Sequence, residues 1–79
     1  MPVVLRKRGY RFMFFASDIT EPPHVHVKKN GKAAKFWLTP IVALDSNRGF
    51  RPHELNEIER LIVQEREFLL ESWHVFFGQ

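Results

Sequence analysis

His24-Val25-His26-Val27-Lys28-Lys29-Asn30-Gly31-Lys32-Ala33-Ala34-Lys35-Phe36-Trp37 is the stretch that decides how the chain folds. Asn-Gly between two alternating runs signals a hairpin, because a type I′ turn needs positive φ at both central positions and these two residues tolerate it. With Asn30 and Gly31 as the loop, Lys29 pairs with Lys32, Lys28 with Ala33, Val27 with Ala34, His26 with Lys35, Val25 with Phe36 and His24 with Trp37. Successive side chains on a strand point to opposite faces. One face then holds Val25, Val27, Ala34, Phe36 and Leu38, and the other His24, His26, Lys28, Lys35 and Trp37. A one-residue slip would scramble this separation, so the pattern itself supports the assumed loop.

Working outward, Val3 to Lys7 and Tyr10 to Ala16 read as a first hairpin around Arg8-Gly9. It pairs Arg6 with Arg11, Leu5 with Phe12, Val4 with Met13 and Val3 with Phe14, adding Arg6, Arg11, Met13 and Phe15 to the polar face. Pro40 ends a strand, Ile41-Val42-Ala43-Leu44 is a candidate fifth strand, and Asp45-Ser46-Asn47-Arg48-Gly49 has the composition of a loop. From Pro52 to Phe77 no Gly or Pro interrupts, and Leu55, Ile58, Leu61, Ile62, Phe68, Leu69, Trp73, Phe76 and Phe77 recur at spacings of three and four, the period of an amphipathic helix. Pro52 suits the first helical position and Gly78 the residue after the last. The predicted class is α+β: a small antiparallel sheet of four strands, with a candidate fifth, covered on one face by one long C-terminal helix. A single domain, 1–79, is expected, with hairpins over 1–44, a loop over 45–51 and the helix over 52–77.

Composition limits what such a domain can be. The 79 residues include eight Phe and two Trp and are 44% hydrophobic, which excludes intrinsic disorder. Cysteine is absent, so no disulfide and no thiolate zinc site can form. No apolar run is long enough for a membrane span or a signal peptide, and a cytoplasmic location is expected. The net charge of +3 hides an asymmetry, because residues 1–40 carry eight Lys/Arg and two acids whereas 41–79 carry four and seven. The basic half suits an anion, and the acidic half reads as the solvated side of a helix.

One helix covers one face of a sheet, so the polar face is open. His24 and His26, two apart on one strand, project side by side and are the candidate catalytic pair, one acid and one base, of a metal-independent ribonuclease with Lys35 or Arg11 stabilising the phosphate. Cations interleaved with aromatics also suit single-stranded RNA, and Arg11, Lys28, Lys35 and Trp37 are the candidate nucleic-acid contacts. No metal or other cofactor is expected, since the cross-strand neighbours of the histidines are a cation, Lys35, and a bulky apolar group, Trp37. A metal-binding regulatory domain is the remaining alternative. Ser17, Asp18, Asp45 and Ser46 are explained by turn chemistry.

Length raises the question of a partner. An uninterrupted helix from Pro52 to Phe77 is about 39 Å long at about 1.5 Å per residue, whereas a seven-residue strand spans only about 23 Å. Either the helix bends at Gln64-Glu65-Arg66, where the apolar stripe is interrupted, or its apolar end packs on another chain. The absence of Gly and Pro there argues against a bend. A homodimer or a complex with a small partner protein is therefore expected through Phe68, Trp73, Phe76 and Phe77.

The string Glu21-Pro22-Pro23-His24-Val25-His26-Val27, then Ala34-Lys35-Phe36-Trp37-Leu38, Arg48-Gly49-Phe50 and the helix from Glu54-Leu55 through Trp73, resembles the domain of unknown function 4160 family over nearly the whole chain. The resemblance implies a small bacterial module of a kind predicted to form toxin–antitoxin pairs, and the expected function is the toxin-like half of such a pair, acting with a partner protein on RNA or translation. It carries over no catalytic residues.

Overall fold

Arg8 and Gly9 have φ of 52° and 83°, and Asn30 and Gly31 have φ of 50° and 79°. Both turns thus adopt the left-handed geometry that matches the twist of the strands they join. In the computed structural model, which describes residues 3–78, these turns close the hairpins β1 (Val3–Lys7) with β2 (Tyr10–Met13) and β3 (His24–Lys29) with β4 (Lys32–Trp37). A 3-10 turn, Ala16–Thr20, links the hairpins, and β5 (Ala43–Arg48), α1 (Pro52–Gln64) and α2 (Arg66–Phe77) follow. The five strands lie in sequence order in one antiparallel sheet. Met1, Pro2 and Gln79, the ends of the expected domain 1–79, lie outside the described residues.

The β3–β4 register is the expected one at all six pairs. The β1–β2 register agrees at Arg6–Arg11 and Leu5–Phe12, but a bulge then sets Val3 opposite Met13, so the expected pairs Val4–Met13 and Val3–Phe14 do not form. The extra residue lets Val4 and its neighbour Leu5 both pack against the core. A larger correction concerns the expected loop 45–51. Asp45 to Arg48 belong to β5, which runs along β4 from Ala43 opposite Trp37 to Arg48 opposite Ala33. An edge strand with both faces wet tolerates polar side chains, so its composition imitates a loop.

The expected single helix is two. Glu65 leaves helical geometry at φ −102° and ψ 13°, in the sparsely populated region between helix and strand. The break lies where the apolar stripe is interrupted, and side chains hold it open. Arg66 Nε donates to the Leu38 carbonyl at 2.8 Å, and Lys7 Nζ to Glu65 Oε2 at 2.8 Å. Neither Gly nor Pro is needed when the departing backbone is anchored to the end of β4 and to β1. The longest extent of the Cα trace is 33 Å, less than the straight helix would need.

After the bend α2 folds its apolar side onto the chain's own core. Phe14 is fully buried, with ring centroids 5.3 Å from Trp73, 5.9 Å from Phe76 and 6.3 Å from Phe77. Trp73, expected at a partner interface, is an interior residue, and Phe76 and Phe77 are half-buried beside it. Phe68 alone of the four remains exposed, at 48%. The length argument for a second chain therefore no longer holds. Val25, Val27, Phe36, Ile58, Ile62 and Leu69 complete the middle of the core, between the sheet and the helices. Among the described residues no helix is long and apolar enough to cross a membrane.

At the start of α1, Pro52 occupies the first turn and Glu54 Oε1 accepts the Arg51 amide at 2.9 Å. Glu57 Oε1 accepts the hydroxyl of buried Tyr10 at 2.8 Å. Burial first, then the Glu57 hydrogen bond and the Glu57 and Glu54 charges, push the Tyr10 phenol from 10.0 up to about 12.

Two outcomes follow from this packing. Phe14→Ala costs about 3–5 kcal/mol in urea unfolding, and amide exchange in α2 accelerates more than in β3–β4; a loss below about 1 kcal/mol would mean that α2 does not rest on Phe14. The single tyrosine titrates by tyrosinate absorbance with a midpoint of about 12. Because the folded value lies above the unfolded one, Tyr10 contributes stability that is present below pH 10.0 and lost as pH rises toward about 12. Tyr10→Phe lacks that alkaline loss.

Candidate functional site

The sheet registers align residues across all five strands. Arg6 lies opposite Arg11, Arg11 opposite Lys28, Lys28 opposite Ala33, and Ala33 opposite Arg48. This puts four cations in one row on the open face, spanning about 19 Å at about 4.8 Å per strand. None of the four forms an ion pair among the described residues. Other basic side chains are compensated internally: Lys7 by Glu65, Arg8 by Glu57, Lys32 by Glu54, and Lys35 by Glu21 at 2.6 Å. Four basic side chains thus close on acids of the same chain; Lys29, Arg51, Arg60 and Arg66 form no ion pair among the described residues either, but the row sets four such cations on one line.

Beside it runs a second row, Met13, His26, Lys35 and Ser46. A depression of about 340 Å³ opens between the two, with Phe15 and His26 at one end and Asn47 and Arg48 at the other. The Phe15 ring lies 4.4 Å from the His26 ring, and Lys28 Nζ stands 5.4 Å over it.

The two histidines, equivalent by alternation, are not equivalent in space. His24 is fully buried, its ring 5.3 Å from Trp73 and 5.4 Å from Trp37, whereas the His26 side chain retains 20% exposure. Asp18 joins them. The 3-10 turn that carries it is closed by the carboxylate itself, since Asp18 Oδ2 accepts the Phe15 amide at 2.8 Å. From there it faces β3, with Oδ2 3.0 Å from His26 Nε2 and Oδ1 3.1 Å from His24 Nε2. The first contact is a hydrogen bond. The second is not aligned as one, and His24 Nε2 has no other partner. On the far side of the same ring, Nδ1 lies 2.9 Å from the Pro22 carbonyl. A carbonyl oxygen only accepts, so Nδ1 carries hydrogen.

Burial pushes the Asp18 carboxyl up, but the Phe15 amide and the two histidines outweigh it and leave it below the usual carboxylate range. Burial pushes His26 down, against the opposing pull of Asp18. The Glu21 carboxyl is held low chiefly by its hydrogen bond from Lys35.

Of the residues singled out in the sequence, Arg11 and Lys28 come together in the cation row. Lys35 turns instead to Glu21, and Trp37 donates to Asp45 Oδ1 at 3.1 Å while Lys35 covers its ring at 4.6 Å. His26 borders the open face, and His24 does not reach it. Two residues escaped sequence reasoning. Asp18 has ordinary turn chemistry in the sequence, and only the path through Pro22-Pro23 brings it back to β3. Arg48 stands in a segment of loop composition, so its place in the row follows only from the β4–β5 pairing.

Comparison with known proteins adds a family. The model described as Domain of unknown function (DUF4160) matches residues 9–74. No curated protein and no solved structure matches the chain.

The His24 geometry has a spectroscopic consequence. Long-range proton–nitrogen correlation spectra place hydrogen on Nδ1 of His24, as the Pro22 carbonyl requires. A neutral ring protonated only at Nε2 would contradict this arrangement.

Proposed function

Since the chain belongs to the DUF4160 family, whose description names no activity, we propose a function from the site itself: the open sheet face binds single-stranded RNA through its phosphates. The observation that carries this reading is the row of Arg6, Arg11, Lys28 and Arg48, four cations without acidic partners across one flat face. Uncompensated cations on a line match the charge pattern of a phosphate backbone, and their gain on binding comes from counterion release. Among the described residues no helix lies on this face to enter the groove of a duplex, which favours a single strand.

Binding is the better reading than cleavage by a histidine pair. A general acid or base must come within hydrogen-bond reach of the proton it transfers. His24, with no exposed surface, does not meet a ligand on the open face. Contact with RNA fits the toxin-like role, in which such a module acts on RNA or translation alongside a partner protein, and exposed Phe68 leaves an apolar contact for that partner.

Fluorescence anisotropy with a short oligoribonucleotide tests this reading. Affinity falls with salt with a log–log slope of about −2 to −3, from about −0.7 for each of four contacts. Arg11→Glu with Lys28→Glu weakens binding at least about tenfold and flattens the slope. Trp37→Ala, whose ring Lys35 already covers, changes affinity by less than about twofold, against the roughly tenfold or more of a stacking residue. Absence of binding at about 50 mM salt, or binding indifferent to the double charge reversal, overturns the proposal.

A further inference from the structure

Asp18, His24 and His26 bring one carboxylate and two imidazoles together with their donor atoms all within 4.8 Å of one another. In the metal-free arrangement one atom of this cluster is poorly served. His24 Nε2 is fully buried, lacks a hydrogen-bond partner, and lies 3.1 Å from a carboxylate oxygen. With Nδ1 donating to the Pro22 carbonyl, a neutral His24 sets an Nε2 lone pair against an oxygen lone pair. A protonated His24 instead pairs with the Asp18 carboxylate, but in a poorly aligned contact whose imidazolium is fully buried, where desolvation offsets much of the attraction.

We propose that Asp18, His24 and His26 form a binding site for one divalent transition-metal ion of the zinc class. A cation between the three donors turns the facing lone pairs of His24 and Asp18 from a conflict into two bonds. Donors about 2.1 Å from a tetrahedral ion lie about 3.4 Å apart; Asp18 Oδ1 lies 3.1 Å from His24 Nε2 and 3.2 Å from His26 Nε2, and a small side-chain shift brings the three donors, already within 4.8 Å of one another, onto one ion. The supports of a metal site are also in place. The Nδ1–H of His24 is held by a backbone carbonyl and Asp18 Oδ2 by the Phe15 amide, and such outer contacts fix the tautomer and orientation of ligands. His26 must give up the Nε2 proton that it shares with Asp18, and it remains neutral by carrying hydrogen on Nδ1.

Lys35, the cation next to His26 that would oppose a metal, is neutralised by Glu21 Oε1 at 2.6 Å, with Asp45 Oδ2 at 3.8 Å. Two imidazoles and one carboxylate favour zinc, iron, nickel or copper over magnesium and calcium, which take oxygen ligands. The fourth position opens beside the partly exposed His26, where water completes the shell. This site does not depend on RNA binding by the cation row, since it shares none of the four residues.

The test uses the full chain, stripped with chelator and titrated calorimetrically with Zn²⁺, Co²⁺ and Mg²⁺. Zn²⁺ and Co²⁺ bind at one equivalent with micromolar or tighter affinity and raise the melting temperature, Co²⁺ develops visible absorption, and Mg²⁺ gives no heat. His26→Ala weakens Zn²⁺ binding at least about tenfold, while Glu59→Ala, on the exposed side of α1, leaves it unchanged. If His26→Ala does not fold, the wild type loaded with Cd²⁺ decides the question, because scalar coupling from cadmium to Nε2 of both His24 and His26 identifies the ligands without a substitution. No stoichiometric binding of Zn²⁺ or Co²⁺ tighter than about 100 μM, equal affinity in a folded His26→Ala variant, or absence of that coupling overturns the proposal.

Discussion

Positive φ at Asn30 and Gly31 is the constraint on which the rest of the molecule depends. It fixes six residue pairs in the central hairpin, and strand alternation then sorts their side chains into two unlike faces. The helices cover the apolar one, and everything of functional interest is what the other retains. A one-residue slip of β3 would bury His26 and Lys28 and expose Val25 and Val27. The hydrophobic free energy of the core therefore enforces the same register that the turn selects.

The open face then divides by charge. Acids on the helices reach back to the basic hairpins, so Glu54, Glu57 and Glu65 each compensate a cation at the sheet margin. Arg6, Arg11, Lys28 and Arg48 run across the opposite face from β1 to β5, and none meets a carboxylate among the described residues. A composition of +3 describes this poorly, because what a polyanion senses is the local, unpaired part of the charge.

A different principle governs the cluster at the start of β3. There α2, bent at Glu65, brings Trp73 over His24 and removes it from water, while His26 stays at the margin. Two histidines two residues apart thus acquire different chemistry from one tertiary contact. Asp18, drawn in from the preceding turn, supplies the negative charge that makes the cluster attractive to a cation.

Local signals determined much of this protein. The hairpin register, the α+β class, the proline start of α1 and the Gly78 end of α2 were readable because turn geometry, strand alternation and helix capping act over a few residues. So was the basic open face, since it follows from alternation alone. The helix break was not readable, because the bonds that hold it run from Arg66 to Leu38 and from Lys7 to Glu65, across distances that no local pattern encodes. Of β5 only the start, Ala43-Leu44, was readable as a candidate fifth strand; its polar remainder was not, since an edge position lets polar residues form a strand, and with it Arg48 was missed. The burial of His24, the compensation of Lys35 and the arrival of Asp18 belong to the tertiary structure alone. Each depends on which segments pack against β3, and that is settled by the summed contacts of the core rather than by any residue's neighbours in sequence.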